Sequence, residues 1–158
     1  MKELYILRHA QKEIQNDYEY DYDISLSKKG FEDAKKIGKL LKQKEVLPDL
    51  IVSSPAIRAR QTAQIVAQEI GYDKNIMFNE VIYQAFLNEL IESITYTYDS
   101  VNSLLIVGHN PALTALALTF GNLKEELQMG NAVKIEFNCN SWIDIDKSNS
   151  RFVELIKI

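Results

Sequence analysis

Apolar positions along the chain fall into blocks whose periods separate strands from helices. Leu4-Tyr5-Ile6-Leu7 is a short continuous apolar run, the pattern of a buried strand. From Leu26-Ser27 the period lengthens. Phe31, Ala34, Ile37 and Leu41 recur at spacings of three and four, with Lys and Glu between them, and predict an amphipathic helix. Asp49 to Val52 reads as a second strand, ended by Ser53-Ser54-Pro55, where Ser is the expected N-cap and Pro the first helical residue. Ala59, Thr62, Ala63, Val66 and Ile70 then form a helical stripe, and Gly71 stops it. A short strand at Ile76–Phe78, a helix over 85–98 and a strand at Leu104–Val107 follow. Gly108-His109-Asn110-Pro111 repeats the earlier punctuation, with Asn as N-cap and Pro as first helical residue of a helix reaching Phe120. In the tail, Val133-Ile135-Phe137, Trp142–Ile145 and Phe152–Ile156 read as strands, the last two joined by a turn over 146–150.

Strands alternating with helices predict an α/β fold, a three-layer α/β/α arrangement around a mainly parallel central sheet. The C-terminal hairpin is expected to be antiparallel. No linker, repeat or low-complexity tract interrupts the pattern, so residues 1–158 are read as a single domain. The one polar excursion is the stretch 10–25, where Asp17, Glu19, Asp21 and Asp23 interleave with Tyr18, Tyr20 and Tyr22. Long loops in compact domains are often functional, and this one reads equally as a solvated surface loop.

Composition narrows the function classes. Eighteen Lys and Arg against 22 Asp and Glu give a net charge of −4. That argues against broad nucleic-acid binding and leaves room for a local basic pocket. Cys139 is the sole cysteine, so no intrachain disulfide and no multi-thiolate zinc site can form, and it is read as an inert thiol. No apolar run approaches the ~18 residues of a membrane span, and the first apolar run is too short for a signal peptide. The expected location is the cytoplasm.

The candidate chemistry gathers at strand ends. The only two histidines, His9 and His109, each directly follow a buried strand, as Leu7-Arg8-His9 and Val107-Gly108-His109. Ligands of open parallel sheets bind at the carboxyl ends of strands. A third strand end, after Val52, leads into a helix with Arg58 in its first turn, where free backbone N–H groups and a guanidinium suit an anion. Arg8 and Arg58 together point to a phosphate or carboxylate. A histidine between them is placed to attack phosphorus or to move protons. Each residue alone also reads as structural or surface. The two histidines show no metal-ligand spacing, and no metal site is expected.

These residues resemble a family. Leu7-Arg8-His9-Ala10 is similar to the Arg-His-Gly signature of the histidine phosphatase, or phosphoglycerate mutase-like, superfamily. Ser54-Pro55-Ala56-Ile57-Arg58-Ala59-Arg60-Gln61-Thr62-Ala63 resembles its second element, and Gly108-His109-Asn110-Pro111 its third. Leu26-Ser27-Lys28-Lys29-Gly30 and the tail 132–144 look like the short SixA-like phosphohistidine phosphatase branch. The resemblance implies a phosphoglycerate mutase-like fold and a phosphatase that needs no metal or organic cofactor. It implies His9 as the nucleophile that forms a transient phosphohistidine, Arg8 and Arg58 as phosphate-binding arginines, and His109 as a second contact to the phosphoryl group. Glu80 resembles the position of the mutase-type general acid, with a solvated loop carboxylate as the equal alternative. Asn16 is a further candidate phosphate contact. Ala10 departs from the family's usual Gly, and Asn110 stands where acid phosphatases of the family carry an Asp.

The implied partner is a phosphorylated protein, bearing phosphohistidine in a signalling or phosphotransfer context, with neither nucleic acid nor membrane involved. Only a short strand and one helix fit between the Arg58 helix and the strand before His109. A shallow pocket is therefore expected, which suits a protein surface better than an enclosed sugar. The alternatives are a small-molecule phosphomonoesterase using Glu80 as acid, and a non-catalytic phosphate- or protein-binding module.

Overall fold

The computed structural model describes residues 1–158. One six-stranded sheet runs in the order β3-β2-β4-β1-β5-β6. Its strands are β1 (Lys2–Arg8), β2 (Leu50–Ser53), β3 (Met77–Phe78), β4 (Ser103–Gly108), β5 (Ala132–Phe137) and β6 (Ser150–Ile156). The first four are mutually parallel, whereas β5 runs antiparallel to β1 and pairs antiparallel with β6. Four helices cover the two faces: α1 (Lys28–Gln43), α2 (Ile57–Ile70), α3 (Leu87–Thr95) and α4 (Ala112–Gly121). This is a mixed α/β fold with an antiparallel C-terminal pair, as the alternation of strands and helices predicts. No helix is long and apolar enough to cross a membrane.

The continuous apolar runs follow from burial on both faces. Side chains alternate along a strand. Leu4 and Ile6 of β1 join Leu104 and Ile106 of β4 in a cluster with Leu90 and Ile94 of α3 and Leu113 and Leu116 of α4. Tyr5 and Leu7 join Leu105 and Val107 in a second cluster with Ile37 and Leu41 of α1 and Ala59, Ala63 and Val66 of α2. Each central strand thus has no polar face to show.

Several sequence expectations need correcting. Trp142–Ile145 is not a strand. Trp142–Asp144 forms a 3-10 turn, and the hairpin joins β5 to β6 across 138–149. The buried indole donates from Nε1 to the Val101 carbonyl at 2.7 Å and stacks edge-on against Phe137, so its bulk is spent in the core and not on a sheet. Phe31 lies off the buried stripe of α1, with 39% of its surface exposed, and Asp33 takes an inward place, ion-paired to Lys29. Helix α2 starts at Ile57 and α4 at Ala112, later than the Pro punctuation suggests. Ser54 Oγ still accepts the Ala56 N–H, and Asn110 Oδ1 still accepts the Thr114 N–H. The polar residues are therefore used much as expected while the helices are shorter. Cys139 is half-buried, with its thiol on the Ser141 carbonyl.

Close packing at two glycines fixes the sheet's carboxyl edge. A Cβ on Gly30 would lie 2.0 Å from the Gln11 carbonyl, so only glycine lets the first turn of α1 press on the segment leaving β1. Ser27 caps that turn by accepting the Gly30 N–H. A Cβ on Gly108 would lie 2.9 Å from Ile82, so glycine there lets the 3-10 turn Glu80–Ile82 sit against the end of β4.

Candidate active site

The parallel pairing of β1 with β4 sets the central geometry. Its register places Arg8 opposite Gly108, so His9 and His109 leave the sheet in step. The His9 N–H donates to the Gly108 carbonyl, and the two imidazole rings lie 5.1 Å apart between centroids. Ser54, at the end of β2, places its Oγ 2.7 Å from His109 Nε2. Thr62 of α2 accepts the Ala10 N–H and donates to the Arg58 carbonyl, tying the Arg58 helix to the residue after His9. Ala10 itself is buried and is not among the residues with positive φ, so replacing the family's glycine brings no backbone strain here.

These elements enclose a cavity of about 380 Å³, lined by Arg8, His9, Lys12, Asp21, Arg58, Tyr83, Gln84, His109, Asn110 and Met129. A larger groove near α4 and β6 lacks both histidines and both arginines. Arg8, His9, Arg58 and His109, the four strand-end residues, thus come together. Glu80 and Asn16 do not line the cavity. The Glu80 carboxylate faces Tyr22, whose hydroxyl donates to it at 3.4 Å, and Asn16 Oδ1 accepts the Tyr18 N–H in the exposed loop. No group of three or more His, Cys, Asp or Glu side chains is arranged to hold a metal ion.

Asp21, Lys12 and Tyr83 are cavity residues that the pattern did not single out individually. Asp21 belongs to the acidic loop, and its Oδ2 accepts from Arg58 Nη2 at 2.9 Å and from the Tyr83 hydroxyl at 2.8 Å. Its main-chain carbonyl accepts from Arg58 Nη1 at 2.6 Å. Lys12 Nζ lies 3.7 Å from Asp21 Oδ1. Arg8 does not pair with this loop. It donates to the Leu127 carbonyl and lies 3.6 Å from Glu126. Tyr83, delivered by the turn packed on Gly108, stands edge-on to His109. Nothing in the pattern singles out Lys12, and nothing distinguishes Tyr83 from the chain's seven other tyrosines.

Burial sets the protonation of both rings. His9 is nearly inaccessible, and desolvation lowers its pKa to about 3. The Ala10 carbonyl opposes this, while His109, Arg58 and Arg8 add to it. His109 falls to about 4, chiefly by desolvation and then through Arg58. Both are neutral near pH 7. His9 Nδ1 lies 2.7 Å from the Ala10 carbonyl, which can only accept, so the ring proton sits on Nδ1 and Nε2 keeps its lone pair. Among the cavity's residues, Arg8 Nε, Arg58 Nε and His109 Nδ1 are buried without a partner, an unusual cost in a folded protein unless something else meets them. Such a site offers a neutral nucleophile among donors for an anion.

The low pKa of His9 has a consequence for stability. The unfolded ring titrates near 6.5, so as pH falls the unfolded chain binds a proton that the folded one refuses. The cost is absent above about pH 6.5 and grows toward pH 3, reaching about 2 kcal/mol at pH 5. Denaturant unfolding at pH 7 and pH 5 is expected to show His9→Asn losing about 2 kcal/mol less than wild type. Equal losses would mean that the folded ring is not held neutral.

Comparison with known proteins agrees with this geometry. The sequence model of the histidine phosphatase superfamily (branch 1) matches residues 4–90. An uncharacterized protein of Mycobacterium tuberculosis is 33% identical over 117 residues, 74% of this chain and 71% of the relative. Among solved structures, SixA from Agrobacterium tumefaciens superposes with a TM-score of 0.84 at 25% identity, covering 99% of this chain and 98% of that one. The protein histidine phosphatase SixA complexed with tungstate gives a TM-score of 0.82 at 18% identity, over 98% and 96% of the two chains. The chain therefore belongs to branch 1 of the histidine phosphatase superfamily, in its SixA-like branch, and is a phosphatase.

Proposed function

We propose that the chain removes phosphate from phosphohistidine carried by a protein, through a phosphorylated His9 and without a metal. The observation that carries this reading is the state of His9. Its ring is neutral, its one proton is held on Nδ1 by donation to the Ala10 carbonyl, and its Nε2 lone pair is free beside two arginines. Arg8, Arg58 and His109 supply N–H groups to the equatorial phosphoryl oxygens, which is most of what a loose phosphoryl transfer requires. His9 Nε2 attacks phosphorus, and the bond to the leaving atom breaks with its electron pair. Water then attacks the phosphoryl group, and the P–N bond returns its electrons to Nε2, releasing dihydrogen phosphate and neutral His9. The tungstate bound by the related SixA is an oxyanion, as the proposed phosphoryl ligand is here.

The choice of substrate rests on the absence of a protonated carboxylic acid among the cavity's residues. Asp21 is the one carboxylate lining the cavity. Partial burial would raise its pKa, but the hydrogen bonds from Tyr83 and Arg58 and the charges of Arg58 and Lys12 more than reverse this, so it stays ionised. Glu80 lies outside. An alkoxide leaving group would go unassisted, whereas the P–N bond of a ring-protonated phosphohistidine breaks to a neutral imidazole and needs no proton from the enzyme. The test is phosphate release from a histidine-phosphorylated protein and from a panel of sugar phosphates, with chelator present. Release from the phosphohistidine protein is expected. Efficient turnover of sugar phosphates with the phosphohistidine protein left intact would overturn the reading.

A further inference from the structure

Asp21 holds a position that the phosphatase assignment leaves unexplained. Its Oδ2 is occupied twice, by Arg58 and Tyr83, and its carbonyl once more by Arg58. Its Oδ1 accepts no hydrogen bond and meets only Lys12, at the longer separation of an ion pair. The carboxylate is thus oriented by one oxygen and open at the other. His9 is 4% exposed, while the Asp21 side chain is 38% exposed, so His9 forms the cavity floor and Asp21 its rim. His9 stacks toward His109, His109 toward Tyr83, and Tyr83 bonds Asp21, so the four residues run from floor to rim. In-line displacement puts the leaving atom on the side of phosphorus away from the nucleophile. That side faces the rim.

We propose that Asp21 is a specificity-determining residue whose open Oδ1 accepts the second ring N–H of a phosphohistidine leaving group, selecting N-phosphoryl over O-phosphoryl substrates. The inference rests on the phosphohistidine reading above. With the substrate's distal N–H held by Asp21, the phosphorylated ring stays an imidazolium. His9 Nε2 donates its lone pair to phosphorus as the substrate's P–N bond breaks, and that electron pair remains on the substrate nitrogen. The substrate ring leaves neutral with its distal proton in place, and His9 becomes the phosphorylated imidazolium. The donor ring is then steadied by Asp21 as the acceptor ring is steadied by the Ala10 carbonyl, and no proton crosses the cavity. A sugar or serine phosphate offers no such N–H at the leaving position, and the negative charge that develops on its leaving oxygen meets an ionised carboxylate, which disfavours it.

Asp21→Asn keeps the shape and removes the charge. The test measures kcat/KM for a histidine-phosphorylated protein and for p-nitrophenyl phosphate with wild type and this variant. A hydrogen bond to a charged acceptor predicts a fall for phosphohistidine on the order of 10-fold greater than for p-nitrophenyl phosphate. The alkaline limb of phosphohistidine turnover should also move to lower pH, because the bound ring loses the carboxylate that keeps it protonated. Asp21→Ala serves as the second variant and is expected to show the same asymmetry. Equal losses on both substrates with an unmoved pH limb would reduce Asp21 to a support for Arg58 and overturn the inference while the phosphohistidine reading stands. A wild type that cleaves p-nitrophenyl phosphate but not phosphohistidine would overturn that reading, and this inference with it.

Discussion

Replacing His9 with Asn is expected to lower phosphate release by at least about 10³-fold, about 4 kcal/mol of lost barrier reduction, while the fold survives. The proposed pathway runs through a P–N bond to His9 Nε2, and no other residue lining the cavity can supply that bond in its place. His109 is the nearest neutral imidazole, yet its Nε2 is engaged with Ser54 and its ring stands on the neighbouring strand. Asn matches the ring's approximate reach, and its side-chain N–H can still meet the Ala10 carbonyl. The loss should therefore fall on kcat, with phosphate-analogue binding largely retained through Arg8 and Arg58. Wild type should also take up an acid-labile, alkali-stable phosphoryl label that the variant lacks. A variant that retains turnover within a few-fold of wild type would remove His9 from the chemistry. A variant that retains the label would assign the phosphoenzyme to another residue, with His109 the first to examine.

How much of this was legible beforehand differs between the sheet's centre and the cavity's rim. Leu4–Leu7 and Leu104–Val107 declare themselves because a strand covered on both faces has no polar positions, and the chain has only two such long apolar runs ending in histidine. Parallel pairing then brings His9 and His109 together through register alone. Arg58 was readable for a related reason, since a strand end followed by a helix start places the first turn at the same edge. Asp21 and Tyr83 were not readable individually. They reach the cavity from an irregular loop and from a 3-10 turn, where no period fixes which side chain faces inward, and their contacts join residues 62 positions apart. The same limit explains Trp142. Its alternating surroundings imitate a strand, and only the tertiary bond to Val101 reveals a turn anchored in the core. Glu80 resembles the position of the family's acid and Asn16 is a candidate by its nearness in sequence to His9, while the loop conformations direct Asn16 to Tyr18 and Glu80 to Tyr22.

Arg58→Ala is expected to lower kcat/KM by about 10²- to 10³-fold, the scale seen when one preorganised donor to a developing charge is removed. Two losses combine in that figure. The phosphoryl group loses a buried guanidinium whose Nε has no protein partner, and Asp21 loses one of the two donors to its carboxylate, Tyr83 remaining, together with the donor to its carbonyl. Arg58→Lys separates them. Arginine carries five N–H bonds in a rigid fork, of which Asp21 uses two, so three remain for an anion and for the cavity wall. Lysine carries three N–H bonds on one nitrogen and cannot reach both Asp21 oxygens from two separated points. Charge is thus conserved while the fork is lost. Lys should recover phosphate or tungstate binding in part, measured by calorimetry, and should leave turnover at least about 10-fold below wild type. Full recovery of turnover by Lys would show that Arg58 acts as a point charge alone. An unchanged kcat/KM in the Ala variant would place the phosphoryl group on Arg8 and Lys12 instead, and would make the Arg58–Asp21 pair a tether that closes the loop over α2.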